Sequence, residues 1–146
     1  LHAILLRGDM RIIVIGTPAP QGSKRHVGRG VMIESSKLVK PWREAVVWAA
    51  REVLIHETKL RGPVSLRVVF TLAKPKSAPK KRKTWPDRQP DIDKLVRSTC
   101  DALSTAGVWE DDARLIELHA RKVYANDDPA ALDVPGAVID VTEVAS

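Results

Sequence analysis

The chain has 146 residues, the length of one ordinary domain, and its composition is 44% hydrophobic and 29% charged. These values exclude a collagen-like, coiled-coil or wholly disordered chain, and no apolar run reaches the roughly 18 residues that a membrane span requires. The formal net charge is +6, and the single cysteine, Cys100, excludes an intramolecular disulfide and a zinc site built on several thiolates. One cysteine suits a reducing compartment, so we expect a cytoplasmic protein.

The hydrophobic pattern predicts one α+β domain. In chain order we expect a strand at residues 11–16, a Gly- and Pro-rich loop at 17–30, a short strand at 31–34 and a helix at 36–57. We then expect a strand at 64–72, a basic Pro-rich segment at 74–88, a second helix at 91–104 and two strands at 114–124 and 137–144. Two main helices packed on one mixed sheet satisfy this order. The first methionine is Met10, so we expect residues 1–10 to be an N-terminal extension of a single domain at 11–146. The apolar start is interrupted at Arg7 and is not interpreted as a signal peptide.

Positive charge is concentrated between the third predicted strand and the second helix. Residues 74–88 have a net charge of +6, which equals the net charge of the whole chain. The segment holds seven bases and one acid, which are Lys74, Lys76, Lys80, Lys81, Arg82, Lys83 and Arg88, and Asp87. A concentrated basic segment is typical of a surface that binds a polyanion such as nucleic acid. A solvated loop kept soluble by lysines is the alternative. Within this segment Trp85 either stacks on an unpaired base or anchors the loop.

Three acidic positions flank the second predicted helix. Asp91 and Asp93 follow Pro90 at its start, and the pair Asp111–Asp112 follows a short turn after it. If the next strand packs back on the helix, the pair returns toward the helix start and three or four carboxylates converge. Such convergence needs a cation to offset repulsion, and Mg²⁺ prefers oxygen ligands of this kind. The alternative is that Asp91 and Asp93 cap the helix and Asp111–Asp112 forms a turn.

The motifs in this region keep the mutual spacing of a known family. Residues 90–95 read PDIDKL, residues 101–103 read DAL, and residues 106–112 read AGVWEDD. This pattern resembles the RusA family of Holliday junction resolvases, closely over residues 90–117 and more loosely elsewhere. The resemblance implies a homodimeric, Mg²⁺-dependent endonuclease, with Mn²⁺ as a possible substitute, that nicks two strands of a four-way DNA junction symmetrically. It also implies a role in recombination and repair, and a place on the nucleoid.

The resemblance assigns roles to individual residues. It implies that Asp91, Asp93 and Asp112 are catalytic metal ligands, with Asp111 as a neighbouring ligand. In the family an essential Lys stands where this chain has Arg97, so the resemblance makes Arg97 the fourth catalytic residue. Arg97 can stabilise phosphate charge but cannot transfer a proton in practice. The alternative for Arg97 is an i,i+4 ion pair with Asp93 or Asp101.

A second departure follows the second acid, where the family has Asn and this chain has Lys94. Lys94 either contacts DNA or weakens the metal site. We therefore expect the DNA-binding set to be the seven bases of residues 74–88 with Trp85 and Lys94.

Two other functions remain open from the sequence alone. One is a non-catalytic nucleic-acid-binding module, in which the acids only cap helices and turns and the basic segment provides the affinity. The other is a metal-dependent nuclease with another branched or RNA substrate. The first predicts binding without metal and no cleavage, whereas the second predicts cleavage without a preference for four-way junctions.

Overall fold

The computed structural model describes residues 9–22, 25–26, 32–33 and 36–144, so most of the expected N-terminal extension lies outside the described residues. The elements in chain order are β1 Met10–Ile15, β2 Arg25–His26, β3 Met32–Ile33, α1 Ser36–Leu54, β4 Val64–Leu72, α2 Ile92–Ala106, a 3₁₀ helix Asp112–Arg114, β5 Leu115–Tyr124 and β6 Gly136–Glu143. The predicted α+β class, with two main helices and one mixed sheet, is confirmed.

The main sheet has the strand order β1-β6-β4-β5. β6 pairs antiparallel with both β1 and β4, whereas β4 and β5 are parallel and α2 is the crossover between them. A parallel pair joined by a helix places the start of the helix near the carboxyl ends of the strands and its end near their amino ends. A separate two-stranded ribbon of β2 and β3 lies partly within residues 17–30, which were predicted as loop.

The core lies between one face of the sheet and the two helices. Phe70 of β4 and Leu95 of α2 are fully buried, and Trp42 of α1 donates from Nε1 to Thr99 Oγ1 at 3.1 Å. Trp42 is therefore a core residue, and Cys100 is a small buried residue. Neither long helix in the described ranges carries an apolar stretch of membrane-spanning length.

One glycine is required where β6 begins. Gly136 pairs with Ile15 of β1, and a Cβ atom at Gly136 would overlap the carbonyl oxygen of Val14. Only a residue without a side chain lets the two strands approach at this point.

The basic segment between β4 and α2 has no helix or strand of its own, but an acidic turn after β5 fixes it in place. Lys74 Nζ lies 2.9 Å from the carboxylate of Asp127, which also accepts from the backbone N–H of Thr84 at 3.2 Å. Lys83 Nζ lies 2.9 Å from Asp128 Oδ2. The segment is therefore held at its start and again at Lys83 and Thr84 by residues more than forty positions later in the chain.

The same contacts set the acidity of the two carboxyls. The hydrogen bond from Lys74 is the largest cause that lowers the pKa of Asp127. The backbone N–H of Ala130, followed by Lys83, holds the pKa of Asp128 well below its usual range. A carboxyl whose pKa is lowered by folding stabilises the folded state at neutral pH and loses that contribution as the pH falls.

The core position of Phe70 predicts a large loss on truncation. Phe70→Ala should lower the free energy of unfolding by about 3–5 kcal/mol, because it leaves a cavity between sheet and helices. Leu38→Ala is the control, since Leu38 is 60% exposed on α1 and should change stability by no more than about 0.5 kcal/mol. Urea denaturation followed by circular dichroism measures both. Equal losses in the two variants would contradict this packing.

The acidic turn predicts a pH dependence of stability. Below the unfolded pKa of about 4, the unfolded chain binds more protons than the folded chain at Asp127 and Asp128, so the wild type should lose stability steeply with falling pH. The double variant Asp127→Asn/Asp128→Asn should show a lower thermal midpoint at pH 7 but a shallower decline between pH 4 and pH 2. Asp133→Asn, which removes an exposed carboxyl of the same loop, should keep the wild-type slope. An unchanged slope in the double variant would refute the role of the turn.

Candidate functional site

Asp91 stands at the start of α2 without the usual helix-capping hydrogen bond. Its backbone has the extended geometry of an N-cap residue, with φ −71° and ψ 137°, yet its side chain accepts no hydrogen bond from the helix. Lys94 Nζ lies 3.3 Å from Asp91 Oδ2. The carboxylate thus faces outward at the positive end of the helix dipole, where an anionic group is stabilised. The alternative that Asp91 merely caps the helix does not match this geometry.

Asp93 and Arg97 lie on one face of the first two turns of α2. Both side chains are exposed, and neither forms a hydrogen bond or ion pair with any residue that the structure describes. The ion pair that Arg97 could form with Asp93 or Asp101 is therefore absent. Asp101 instead accepts from Gln21 Nε2 at 2.7 Å. An exposed carboxylate and an exposed guanidinium, four residues apart, remain available to a ligand.

Two other segments border the start of α2. Lys122 of β5 donates from Nζ to the carbonyl oxygens of Arg88 at 2.8 Å and Pro90 at 2.9 Å, which fixes the chain just before Asp91. On the other side, the backbone N–H of Gln21 donates to the Lys94 carbonyl at 3.1 Å. These contacts hold the entry to the helix between β5 and the loop that follows β1.

The second acidic pair lies at the opposite end of the helix. Asp111 caps the 3₁₀ helix by accepting from the N–H of Ala113 at 3.1 Å. Asp112 accepts from Ser104 Oγ, in the last turn of α2, and from Trp109 Nε1 at 3.1 Å. Asp112 remains exposed, but its direction is set by these two donors.

The expected convergence of these acids does not occur within one chain. Ser104, which holds Asp112, lies eleven residues after Asp93, and eleven residues of α-helix span roughly 16 Å along the axis. The reason is the parallel crossover, since β5 begins beside the end of α2 rather than beside its start. Among the residues that the structure describes, no three His, Cys, Asp or Glu side chains lie close enough together to hold a metal ion.

A buried thiol lies near Asp112. Cys100 is 8% exposed, and burial, followed by the negative charges of Asp112 and Asp101, raises the pKa of its thiol to about 12. The thiol is therefore protonated at neutral pH, and a protonated thiol is a poor nucleophile.

The basic segment divides into anchored and free bases. Lys74 and Lys83 are held by Asp127 and Asp128, and Lys74 is only 15% exposed. The other bases are exposed, and their side chains pair with no acid in the described ranges: Lys76, Lys80, Lys81, Arg82 and Arg88. Trp85 is 55% exposed, with the Lys83 ammonium 4.1 Å from the centre of its ring. The free bases and one aromatic side chain thus form a surface just before the start of α2.

Several residues that shape this region have no local sequence pattern that predicts their role. Trp109 is buried and directs Asp112, but a tryptophan in a short turn gave no hint of that role. Lys122 and the pair Asp127–Asp128 act on a segment more than thirty residues earlier in the chain. Only the clustering of acids after residue 126 could have suggested a partner for the basic segment.

Comparison with solved structures finds similarity to the crystal structure of the protein Atu1372 with unknown function from Agrobacterium tumefaciens. The two share 12% identity with a TM-score of 0.40, over 92% of this chain and 73% of that one. No curated protein matches this chain.

Comparison with family models gives a match over most of the chain. The model described as Endodeoxyribonuclease RusA matches residues 16–134, which include both acidic pairs, the basic segment and the acidic turn. The chain therefore belongs to the RusA endodeoxyribonuclease family.

Proposed function

We propose that this protein is a Mg²⁺-dependent endonuclease that resolves four-way DNA junctions by paired symmetric nicks, as a homodimer acting in recombination and repair on the nucleoid. The observation that carries the proposal is the start of α2. There Asp91 and Asp93 present carboxylates that the helix does not use, directly after a basic segment, in a chain of the RusA family.

The donor chemistry of this site suits a hard divalent cation. Asp91 and Asp93 offer only oxygen ligands, and Mg²⁺ or Mn²⁺ needs one or two carboxylates when waters and a substrate phosphate complete its shell. When bound, such a cation neutralises phosphate charge and activates a water for in-line attack. The ion pair between Lys94 and Asp91 holds this carboxylate at the helix start until a cation competes for it.

Arg97 supports the reaction through charge. Its guanidinium has no partner in the described part of the chain and lies one turn from Asp93. A planar, permanently charged fork binds a phosphate through two hydrogen bonds and stabilises the charge that develops on it. It holds its proton throughout, so proton transfer falls to water and the carboxylates.

DNA is held by the surface beside this site. The exposed bases of the basic segment contact phosphates, which provides affinity without regard to sequence or branching. The family's preference for four-way junctions requires something further, and exposed aromatic rings such as Trp85 are suited to unstacked bases.

A homodimer would bring the two acidic pairs together, one pair from each subunit. β5 is an edge strand of the four-stranded sheet, and Ile116 and Leu118 near its start are 62% and 47% exposed. Antiparallel pairing of β5 with the same strand of a second copy would cover these side chains and satisfy the open edge. It would also bring Asp112 to the end of the partner's β5, beside the partner's Asp91. Each site would then be built from two subunits.

The first test is cleavage of a labelled four-way junction and of a linear duplex of matched sequence, with Mg²⁺ and with EDTA. Wild type should nick the junction alone, in symmetric pairs, and only with Mg²⁺. Asp91→Asn should slow cleavage at least about 100-fold, because a ligand carboxylate that offsets several kcal/mol of charge is lost. Asp87→Asn is the matched control, since it removes an exposed carboxyl four residues earlier and should cleave normally.

Two outcomes of this test would contradict the proposal. Junction binding without nicks at any Mg²⁺ or Mn²⁺ concentration would favour the non-catalytic binding module. Metal-dependent cleavage of the linear duplex at the same rate as the junction would favour a nuclease of another substrate class.

The shared site has its own test in mixed dimers. A dimer of one Asp91→Asn subunit and one Asp112→Asn subunit, isolated with two affinity tags, has one intact site if the acids combine between subunits and none if they act within one chain. We expect such a dimer to nick one strand of the junction, whereas each pure variant is inactive. A dimer of Asp91→Asn with Asp93→Asn should be inactive in either case. Lack of activity in the first mixed dimer would refute the shared site.

A further inference from the structure

Trp85 is presented by a segment that has no regular structure, yet its neighbours are fixed. Thr84 donates its backbone N–H to Asp127, and the side chain of Pro86 is buried. The indole itself is 55% exposed. A large aromatic ring normally packs against the nearest apolar surface. The exposed position of the Trp85 ring therefore needs a contact that holds it there.

A chain of contacts connects the indole to the sheet. The ammonium of Lys83 lies 4.1 Å from the ring centre of Trp85 and 2.9 Å from Asp128 Oδ2. Asp128 also accepts from Arg121 of β5 at 2.8 Å and from the N–H of Ala130 at 2.9 Å. Its side chain is only 6% exposed. Asp128 is thus attached to the edge strand on one side and to the basic segment on the other.

We propose that Asp128 is a positioning residue which, through Lys83, holds the indole of Trp85 as a stacking surface for an unstacked base at the branch point of the DNA. This inference rests on the proposed function. The cation occupies one face of the ring and leaves the rest of its surface to a base. Duplex DNA offers no unstacked base, whereas a four-way junction does at its centre. Asp128 therefore affects discrimination between branched and linear DNA rather than affinity for phosphate.

The free bases allow these two contributions to be separated. Lys80 and Lys81 pair with no acid in the described residues and are exposed, so they contact phosphate on any DNA. Their loss should weaken binding to both DNAs and reduce its salt dependence. Loss of Asp128 removes a negative charge near the DNA, which by electrostatics alone would strengthen binding to both DNAs.

The experiment compares binding to the four-way junction and the linear duplex in EDTA, where no cleavage occurs. Asp128→Asn should weaken junction binding about tenfold, the loss expected for one stacked base, while duplex binding stays equal or becomes slightly tighter. Trp85→Ala should have the same effect, and the double variant should be no weaker than either single one, because both changes remove one interaction. Asp133→Asn is the control for charge and should leave the ratio of the two affinities unchanged.

A measurement without DNA tests the contact itself. In ¹⁵N-labelled protein, the indole N–H resonance of Trp85, assigned with Trp85→Phe, should move in Asp128→Asn. The resonances of the buried Trp42 and Trp109 should stay in place. Lys83→Met breaks the same link but leaves the ion pair between Arg121 and Asp128 intact. It should give the same shift, which keeps the test valid if Asp128→Asn folds poorly.

Other outcomes separate this inference from the function on which it rests. A wild type that binds both DNAs equally contradicts the proposed function. A wild-type junction preference that Asp128→Asn leaves intact contradicts only the positioning role, as does an unmoved Trp85 resonance. Equal strengthening of both affinities would mean that Asp128 acts by charge alone, and equal weakening that it acts on folding alone. Either result overturns the inference.

Discussion

The parallel pairing of β4 and β5 is the constraint from which the arrangement of the site follows. Two parallel neighbours need a connection that crosses the whole length of the sheet, and α2 is that connection. The helix must therefore start at one end of the sheet and finish at the other. Asp91 precedes it and Asp112 follows it, so the distance between these carboxylates is set by the length of the helix. A shorter crossover could not span β4, and a longer one would separate the acids further.

This constraint also explains which parts of the molecule were predictable. The positions of β4 and α2 follow from β-branched runs and helical spacing, which are local properties of the chain. The location of Asp112 depends on whether the strand after α2 runs parallel or antiparallel to β4, and no local pattern carries that information. The hypothesis that the acids converge within one chain assumed a direct return of the strand. The structure instead places Asp112 beside Ser104.

The basic segment shows a second limit of sequence reasoning. Its positive charge was evident, but charge alone does not tell whether a lysine meets solvent, phosphate or a carboxylate of the same chain. Lys74 and Lys83 hold the segment against the acidic turn, and the remaining bases pair with no acid in the part of the chain that the structure describes. Two of the acids that follow residue 126, Asp127 and Asp128, thus fix the position of the basic segment. Long-range pairs of this kind, between Lys74 and Asp127, have no signature in spacing.

The burial and the raised pKa of Cys100 have a practical consequence. Burial raises the pKa of this thiol to about 12, so the thiol is protonated at pH 8, and it is also shielded from solvent. We therefore expect oxidants and alkylating reagents to react slowly with Cys100, which lies one helical turn from Ser104. We expect the wild-type protein to react slowly with thiol-directed reagents. A single cysteine introduced on the surface could carry a fluorophore or spin label at one defined place, without first replacing any native residue.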